Sequence, residues 1–228
     1  MTVPFLQGRL GRALRLTALL AAILLVLSPG SPRAESFRLM AFGDSLVHGY
    51  GLEAGDTFPE QLEAALRAEG LDVTVINAGN SGDTTAAGLA RLDWALADDP
   101  QAVILELGAN DGLRGLDPSA TYDNLDAIMA RLTAAGLPVL LAGMFAPPNL
   151  GREYGDIFNS VFPRLAEKYE APLYPFFLEG VALEPALNQA DGIHPNAAGV
   201  AEIVKRITPQ VVELVKAAAA AQVPPQTN

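Results

Sequence analysis

Three residues of this sequence have side chains suited to nucleophilic catalysis: Ser45, Asp191 and His194. A serine hydroxyl is a weak nucleophile near neutral pH and needs a positioned base, most often a histidine. His194 follows Asp191 by three residues, and this spacing allows the carboxylate to accept a hydrogen bond from one ring nitrogen and orient the ring. The other histidine, His48, is a rival base, but no acid is placed nearby to orient it. We therefore interpret His48 as a loop residue that lines the cleft or faces solvent.

A serine that attacks an acyl group also needs hydrogen-bond donors for the negative oxygen that forms during the reaction. The backbone N–H of Ser45, the N–H of a loop glycine and the side-chain amide of Asn110 could supply them. Gly79 and Gly82 both remain open as the loop glycine, since glycine lets the backbone approach a ligand closely. Each motif also has a simpler explanation as a turn, because Gly, Asp, Asn and Ser are common turn residues.

The elements that must position these residues are short apolar strands alternating with helices. The predicted strands cover residues 37–42, 73–76, 102–107, 138–142 and 172–177. The helical pattern over 154–169 contains Pro163, where a kink or restart is expected, and the last helix should break at Thr208-Pro209. Strands that alternate with helices predict a parallel sheet, and hence a three-layer α/β/α sandwich around five parallel strands.

Such a sheet places every strand-to-helix loop at the same edge, where ligands bind in open α/β folds. Ser45 follows the first predicted strand, Gly82 the second and Asn110 the third. The stretch from Asp191 to His194 follows the fifth strand. We therefore expect four segments that are far apart in the sequence to meet at one site.

A proline-containing loop after the fourth strand carries several apolar side chains. Together with its neighbours it could form an apolar pocket for an acyl group, built from Met144, Phe145, Leu150, Tyr154 and Phe177. The same residues could instead simply cover the edge of the sheet, because scattered exposed apolar side chains are ordinary.

The first 34 residues are predicted to be a secretory signal peptide. Arg9, Arg12 and Arg15 precede a twelve-residue apolar run over residues 16–27, which is too short to span a bilayer. An uncleaved membrane anchor is the alternative. We expect one domain over residues 35–221, a disordered tail over 222–228, and a periplasmic or secreted protein.

Composition narrows the function further. The 228-residue chain has a net charge of −11, and removing residues 1–34, with four arginines and no acids, leaves 11 basic and 26 acidic residues, a net charge of −15. Such a surface argues against nucleic acid or an anionic membrane as a partner. With no cysteine and two isolated histidines, the chain offers no recognisable zinc ligand set, and no metal or cofactor is expected. The G-x-S-x-G nucleophile motif is absent from the sequence.

Four segments resemble, in order, the four sequence blocks of the SGNH (GDSL) hydrolase family: Gly43–Leu46, Ser81–Thr84, Gly108–Asp111 and Asp191–Pro195. Residues 106–115 and 174–177 also resemble its subgroup of bacterial multifunctional thioesterases, lysophospholipases and arylesterases. The resemblance spans about residues 37–215. Each block alone is weak, whereas four in order at matching spacing are specific.

The resemblance implies a flavodoxin-like sheet order and a role for each matching residue. It implies Ser45 as nucleophile, His194 as base and Asp191 as the acid that orients it. It also implies an oxyanion hole formed by Ser45, Gly82 and Asn110, and thereby selects Gly82 over Gly79.

The expected activity is that of a serine esterase working through an acyl-enzyme, on aryl esters, lysophospholipids and acyl thioesters. A carbohydrate O-deacetylase on the same scaffold and a non-catalytic binding protein are the alternatives. The expected partner is a small-molecule acyl ester or thioester, with no nucleic acid and no stable membrane anchor. The oligomeric state stays open, with a monomer favoured.

Overall fold

The protein is described by a computed structural model that covers residues 36–222. Five strands form its sheet: β1 Phe37–Gly43, β2 Val73–Gly79, β3 Ala102–Glu106, β4 Val139–Ala142 and β5 Leu173–Tyr174. All neighbouring strands are parallel, in the order β2-β1-β3-β4-β5, which is the flavodoxin-like order. The predicted five-stranded parallel sheet is thus confirmed. The predicted signal peptide over 1–34 and tail residues 223–228 lie outside the described residues.

Helices connect the strands and cover the sheet. They are α1 Ser45–His48, α2 Phe58–Ala68, α3 Thr85–Ala95, α4 Ala109–Leu113, α5 Pro118–Ala134, α6 Arg152–Asn159, α7 Val161–Tyr169 and α8 Ala197–Gln222. Helix α2 packs against α8, while α3 packs against α5 and α5 against α7. These two groups are the outer layers of the predicted α/β/α sandwich. None of the helices within residues 36–222 is long and apolar enough to cross a membrane.

The core is built from strands buried on both faces. Every residue of β3 is buried, as are the residues of β1 from Leu39 to Gly43. Their near-continuous apolar sequence follows from this position, because helices cover both faces of a parallel sheet. The order of the strands reverses between β1 and β3, and at such a point the two outgoing loops diverge and leave a crevice at the carboxyl edge.

Two strands differ in length from the sequence prediction. Strand β2 continues through Gly79, where a side chain would collide with the backbone of His48 at the end of α1. Strand β5 has only two residues, although residues 172–177 were predicted to form it. Pro175 follows it directly and has no N–H to continue the hydrogen-bonded ladder.

The predicted break in the last helix is wrong, because α8 continues from Ala197 to Gln222 with Pro209 inside it. The buried side chains of Ile207 and Val211 lie on either side of the proline, so packing on the core holds the helix together across it. Helix α8 therefore includes the alanine run and reaches Gln222. By contrast, the predicted restart near Pro163 is found as a break at Ser160, between α6 and α7.

Replacing Pro209 by alanine is expected to stabilise the fold. Proline in a helix interior lacks the N–H that would bond four residues back, and it costs up to about 3 kcal/mol relative to alanine. Because Pro209 is exposed, the substitution should leave the core packing unchanged. We expect urea unfolding to show a free energy of unfolding higher by about 1–3 kcal/mol.

Gln210→Ala, at the next exposed position of α8, is the control and should change stability by less than about 0.5 kcal/mol. A less stable Pro209→Ala protein would contradict the prediction, since it would mean that the distortion at the proline is needed for packing.

Candidate active site

Ser45 is the first residue of α1, directly after the turn that ends β1. The carboxylate of Asp44 accepts a hydrogen bond from the backbone N–H of Leu46 at 3.0 Å and so caps this short helix. Gly43 lies so close to its surroundings that an added Cβ would be 2.5 Å from the carboxyl of Glu106. The first N–H groups of a helix have no partner within it, so the N–H of Ser45 is available to a ligand.

A chain of hydrogen bonds joins Ser45 to the loop before α8. The Oγ of Ser45 is 3.0 Å from Nε2 of His194, and Nδ1 of the same ring is 2.7 Å from Oδ2 of Asp191. The other carboxylate oxygen of Asp191 accepts the backbone N–H groups of Ile193 and His194 at 3.0 and 3.1 Å. This geometry lets the imidazole take a proton from the serine hydroxyl while the carboxylate fixes the tautomer and orientation of the ring.

Asp191 is an anion throughout the neutral range. Its hydrogen bond with the His194 side chain is the largest influence, and it lowers the pKa of Asp191 to about 2, with the two backbone N–H groups acting in the same direction. The carboxylate therefore remains a hydrogen-bond acceptor for the imidazole at any pH where the ring could act as a base.

His48 occupies a different place. It ends α1 with an exposed side chain, and its Nδ1 lies 3.3 Å from the carbonyl oxygen of Gly79. The structure therefore brings His194, and not His48, to the hydroxyl of Ser45.

Asn110 is the second residue of α4, the helix after β3, and Gly82 lies in the turn after β2. The Nδ2 of Asn110 donates to Oδ2 of Asp44 at 3.1 Å, and its second N–H remains available. Gly82 has a positive φ of 87°, and within residues 36–222 its N–H has no hydrogen-bond partner. The N–H of Gly79, in contrast, donates to the side chain of Asn77 at 3.0 Å. Of the two glycines, Gly82 thus has the available donor.

Arg114 connects α4 to the turn that carries Gly82, and the sequence analysis did not identify it. Its guanidinium donates to the carbonyl oxygen of Gly82 at 2.9 Å, and the same nitrogen lies 3.4 Å from Oδ1 of Asn110. Arg114 is four residues after Asn110, a spacing at which side chains of a helix meet, so this contact could have been predicted from the sequence. The contact with Gly82 could not, because it depends on the fold.

Two acids are buried below Ser45. Burial is the largest influence on both and raises the pKa of Asp44 to about 6 and that of Glu106 well above its ordinary value. Oε2 of Glu106 accepts the backbone N–H of Asp44 at 3.3 Å, while Oε1 has no partner among the described residues. In the sequence, the only indication of a buried acid pair was a glutamate, Glu106, at the end of an otherwise apolar strand.

A cavity of about 360 Å³ opens beside Ser45, Asn110 and His194. Its walls are mainly apolar and include Leu113, Met144, Phe145, Phe176, Leu183 and Ile193. The ring of Phe145 stacks on that of Phe176 with centroids 4.7 Å apart. Met144 and Phe145 thus lie where the sequence placed them. The other wall residues were not predicted because they come from the end of α4 and from the irregular stretch between β5 and α8.

Three residues predicted for this pocket do not line it. Phe177 is fully buried and packs edge-on against Phe58, so it belongs to the core. Tyr154 lies in α6 and donates its hydroxyl to the carbonyl oxygen of Leu116 at 2.9 Å. Leu150 ends the short 3₁₀ turn Pro148–Leu150, outside the cavity. The 3₁₀ turn interrupts the predicted loop at Leu150, whereas Tyr154 is held within its helix and Phe177 is taken up by the core after β5.

Comparison with known proteins identifies the fold's relatives. A sequence profile of the GDSL-like Lipase/Acylhydrolase family matches residues 41–201, well over half of the chain. The chain belongs to this family. Its match confirms the resemblance found in the sequence and, with the named relatives, the expected class of activity, hydrolysis of carboxylic esters.

Individual relatives agree with this assignment. The chain is 40% identical to Esterase TesA of Pseudomonas aeruginosa, over 89% of this chain and 99% of that protein. It is 42% identical to Thioesterase 1/protease 1/lysophospholipase L1 of Escherichia coli K12, over 72% of this chain and 77% of that one. The crystal structure of AlinE4, an SGNH-hydrolase family esterase, is 48% identical and matches with a TM-score of 0.68 over 83% of this chain and 98% of its own.

In this GDSL-family protein, the buried Glu106 should make stability fall as pH rises. Glutamate in the unfolded chain ionises above its ordinary pKa, while the raised pKa keeps native Glu106 protonated, so the native state binds more protons. Each further pH unit then costs on the order of 1 kcal/mol until native Glu106 ionises. Glu106→Gln keeps an acceptor oxygen for Asp44 but cannot ionise. Between pH 5 and 8 its unfolding free energy should fall less steeply than that of the unsubstituted protein.

Glu63→Gln is the matched control, because Glu63 also accepts a backbone N–H, from Val75 at 2.8 Å, but keeps its side chain 24% exposed. It should retain the original dependence of urea unfolding on pH. If the unfolding free energy of Glu106→Gln fell with pH as steeply as that of the unsubstituted protein, Glu106 would not be the acid that causes the pH dependence.

Proposed function

We propose that this enzyme is a serine esterase in which Ser45 is the nucleophile, His194 the general base and Asp191 the residue that orients the base. The observation that carries the proposal is the continuous chain from the serine Oγ through both imidazole nitrogens to the carboxylate, with spacings of 3.0 and 2.7 Å. Both distances fall in the hydrogen-bonding range that proton transfer requires.

The reaction proceeds in two halves through an acyl-enzyme. Nε2 of His194 accepts the hydroxyl proton as Oγ of Ser45 bonds to the ester carbonyl carbon, and the imidazolium then protonates the departing alcohol or thiol. Water attacks the acyl-enzyme with the same base taking its proton. That proton returns to Ser45 as the carboxylic acid leaves, and the enzyme is restored.

The tetrahedral intermediate carries a negative oxygen, for which we assign three donors. They are the N–H of Ser45, the N–H of Gly82 and the second N–H of the Asn110 amide. The assignment is supported by two features: the Gly82 N–H is unpaired among the described residues, and Asp44 holds the Asn110 amide by its other N–H at 3.1 Å. A donor held in place before the reaction stabilises the developing charge without reorganisation.

The proposed substrates are esters with an apolar acyl group, including aryl esters and lysophospholipids, and acyl thioesters. The apolar walls of the cavity beside Ser45 favour an acyl chain over a small polar acetyl-sugar, and the relatives named arylesterase and thioesterase/lysophospholipase support the same range. We further propose that residues 1–34 are a cleaved signal peptide, so that the catalytic domain from residue 35 acts in the periplasm or outside the cell.

Hydrolysis of p-nitrophenyl esters from acetate to palmitate should show an optimum beyond acetate, and Ser45→Ala should abolish it. The physical reason is that the apolar cavity gains binding energy from each buried methylene, about 0.8 kcal/mol, until its volume is filled. The measurement is kcat/KM for each ester with the protein and with Ser45→Ala.

Ser81→Ala, at an exposed turn serine on the same sheet edge, is the control and should keep full activity. Turnover of acetate alone would indicate a deacetylase, and no turnover of any ester would indicate a binding protein. Residual activity in Ser45→Ala equal to that of Ser81→Ala would remove Ser45 as the nucleophile.

Asn110→Ala should lower kcat by on the order of 10²–10³, the usual effect of losing one oxyanion donor. It should also lower the free energy of unfolding by about 1–3 kcal/mol, because the buried carboxylate of Asp44 loses a hydrogen bond. Steady-state kinetics and urea unfolding separate the two effects.

Gln101→Ala is the control for the stability effect. This amide accepts the backbone N–H of Arg38 at 2.8 Å beside the start of β3, at the edge of the sheet opposite Ser45. The Gln101→Ala protein should have a lower free energy of unfolding and an unchanged kcat. An Asn110→Ala enzyme with unchanged kcat would remove Asn110 from the oxyanion hole.

A further inference from the structure

The segment that carries Asp191 and His194 has little regular structure of its own. It follows the 3₁₀ turn Pro185–Leu187, and a single antiparallel bridge between Asn188 and Pro195 closes its base. Ser45, in contrast, lies at the end of a buried strand. The alignment of base and nucleophile therefore depends on what holds this loop, residues 188–195, against the loop that follows α1.

Gln189 makes the contacts that join the two loops. Its side-chain Nε2 donates to the carbonyl oxygen of Tyr50 at 2.7 Å and to that of Pro195 at 2.9 Å. Its backbone N–H donates to the carbonyl oxygen of His194 at 2.7 Å. One residue thus bonds to His194, to the residue after it, and to a residue 139 positions earlier in the chain.

Tyr50 belongs to the turn that carries the nucleophile. Its backbone N–H donates to the carbonyl oxygen of Ser45 at 3.1 Å, and its ring lies against the ring of His194, with centroids 4.6 Å apart and planes tilted by 37°. Holding the Tyr50 backbone therefore also holds an aromatic wall against the imidazole.

Gly51 shows that this contact is closely fitted. Its φ of +71° lies in the left-handed region, and an added Cβ would collide with the Oε1 atom of Gln189. The amide is thus confined by the glycine on its oxygen side while its nitrogen binds two carbonyl groups, and a side chain of different shape cannot make the same set of contacts.

We propose that Gln189 is a positioning residue that locks the loop of His194 onto the loop of Ser45 through its amide bridge. The inference rests on the proposed function, in which His194 takes the proton of Ser45. Gln189 lies outside the cavity beside Ser45, so it acts on the alignment of the reacting groups and not on the binding of the acyl chain. Its loss should therefore lower kcat and leave KM nearly unchanged.

The test is Gln189→Met, which keeps the length of the side chain but cannot donate. We expect kcat to fall by on the order of 10- to 100-fold, the effect of misplacing reacting groups by a fraction of an ångström to one ångström, with KM within about twofold. Gln189→Asn retains a shorter amide, and its kcat should lie between those of the unsubstituted protein and Gln189→Met. If Gln189→Met does not fold, Gln189→Asn is used for the test. Gln101→Met, an amide removed at the opposite edge of the sheet, should have normal kcat.

A second readout does not depend on turnover. The chain has only two histidines, so the imidazole resonances of ¹⁵N-histidine-labelled protein report His194 and use His48 as an internal reference. In Gln189→Met the His194 ring signals should shift or broaden while those of His48 stay unchanged. The spectrum tests the positioning role of Gln189 even if the protein hydrolyses no ester. Absence of ester hydrolysis would contradict the proposed function and not the positioning role.

Two outcomes would overturn the inference. One is normal kcat together with unchanged His194 resonances in Gln189→Met. The other is an equal disturbance of both histidines with a large drop in unfolding free energy, because that result indicates general loosening of the fold and not a local lock.

Discussion

The position of the Ser45 hydroxyl depends on a turn whose backbone is bonded within the protein interior. The carbonyl oxygen of Gly43 accepts hydrogen bonds from the N–H of Asn80 at 3.1 Å and from the guanidinium of Arg91 at 2.9 Å. The next N–H, of Asp44, donates to Glu106. Leaving the buried carbonyl of Gly43 or the buried N–H of Asp44 unpaired would cost about 1–3 kcal/mol, so the turn has little freedom to move. The hydroxyl of Ser45, one residue further along the chain, is therefore held in a fixed position.

The two halves of the site are held by different means. Ser45 and Asn110 stand at the ends of β1 and β3, so the sheet itself positions them. The loop of Asp191 and His194 does not follow a strand directly, and the side-chain amide of Gln189 hydrogen-bonds it to the loop of Ser45. Burial raises the pKa of both acids below Ser45, so ionising them should cost stability, yet Asp44 also holds the Asn110 amide. Groups that are unfavourable to bury are thus found where they position the site, as is common at functional sites.

Sequence patterns predicted the strands, their parallel arrangement and the loops that meet, because these follow from periodicity and from the topology of a parallel sheet. They failed where packing between distant segments decides the outcome. Core burial carries α8 across Pro209, and the core, not the cavity, takes up Phe177. The bridge made by Gln189 joins residues 139 positions apart and leaves no local pattern in the chain.

The unbroken helix α8 has a consequence for the active site. His194 precedes this 26-residue helix, and nearly the whole sheet lies between Ser45 and His194, its proposed base. Because α8 follows the loop of His194 and packs against α2, the docking of α8 fixes the C-terminal end of that loop. A chain that lacks α8 would therefore keep Ser45 and His194 but lose the packing that holds the loop of His194 at its C-terminal end. Hydrolysis that depends on both residues would then require the docked helix α8, although no residue of that helix lies beside Ser45.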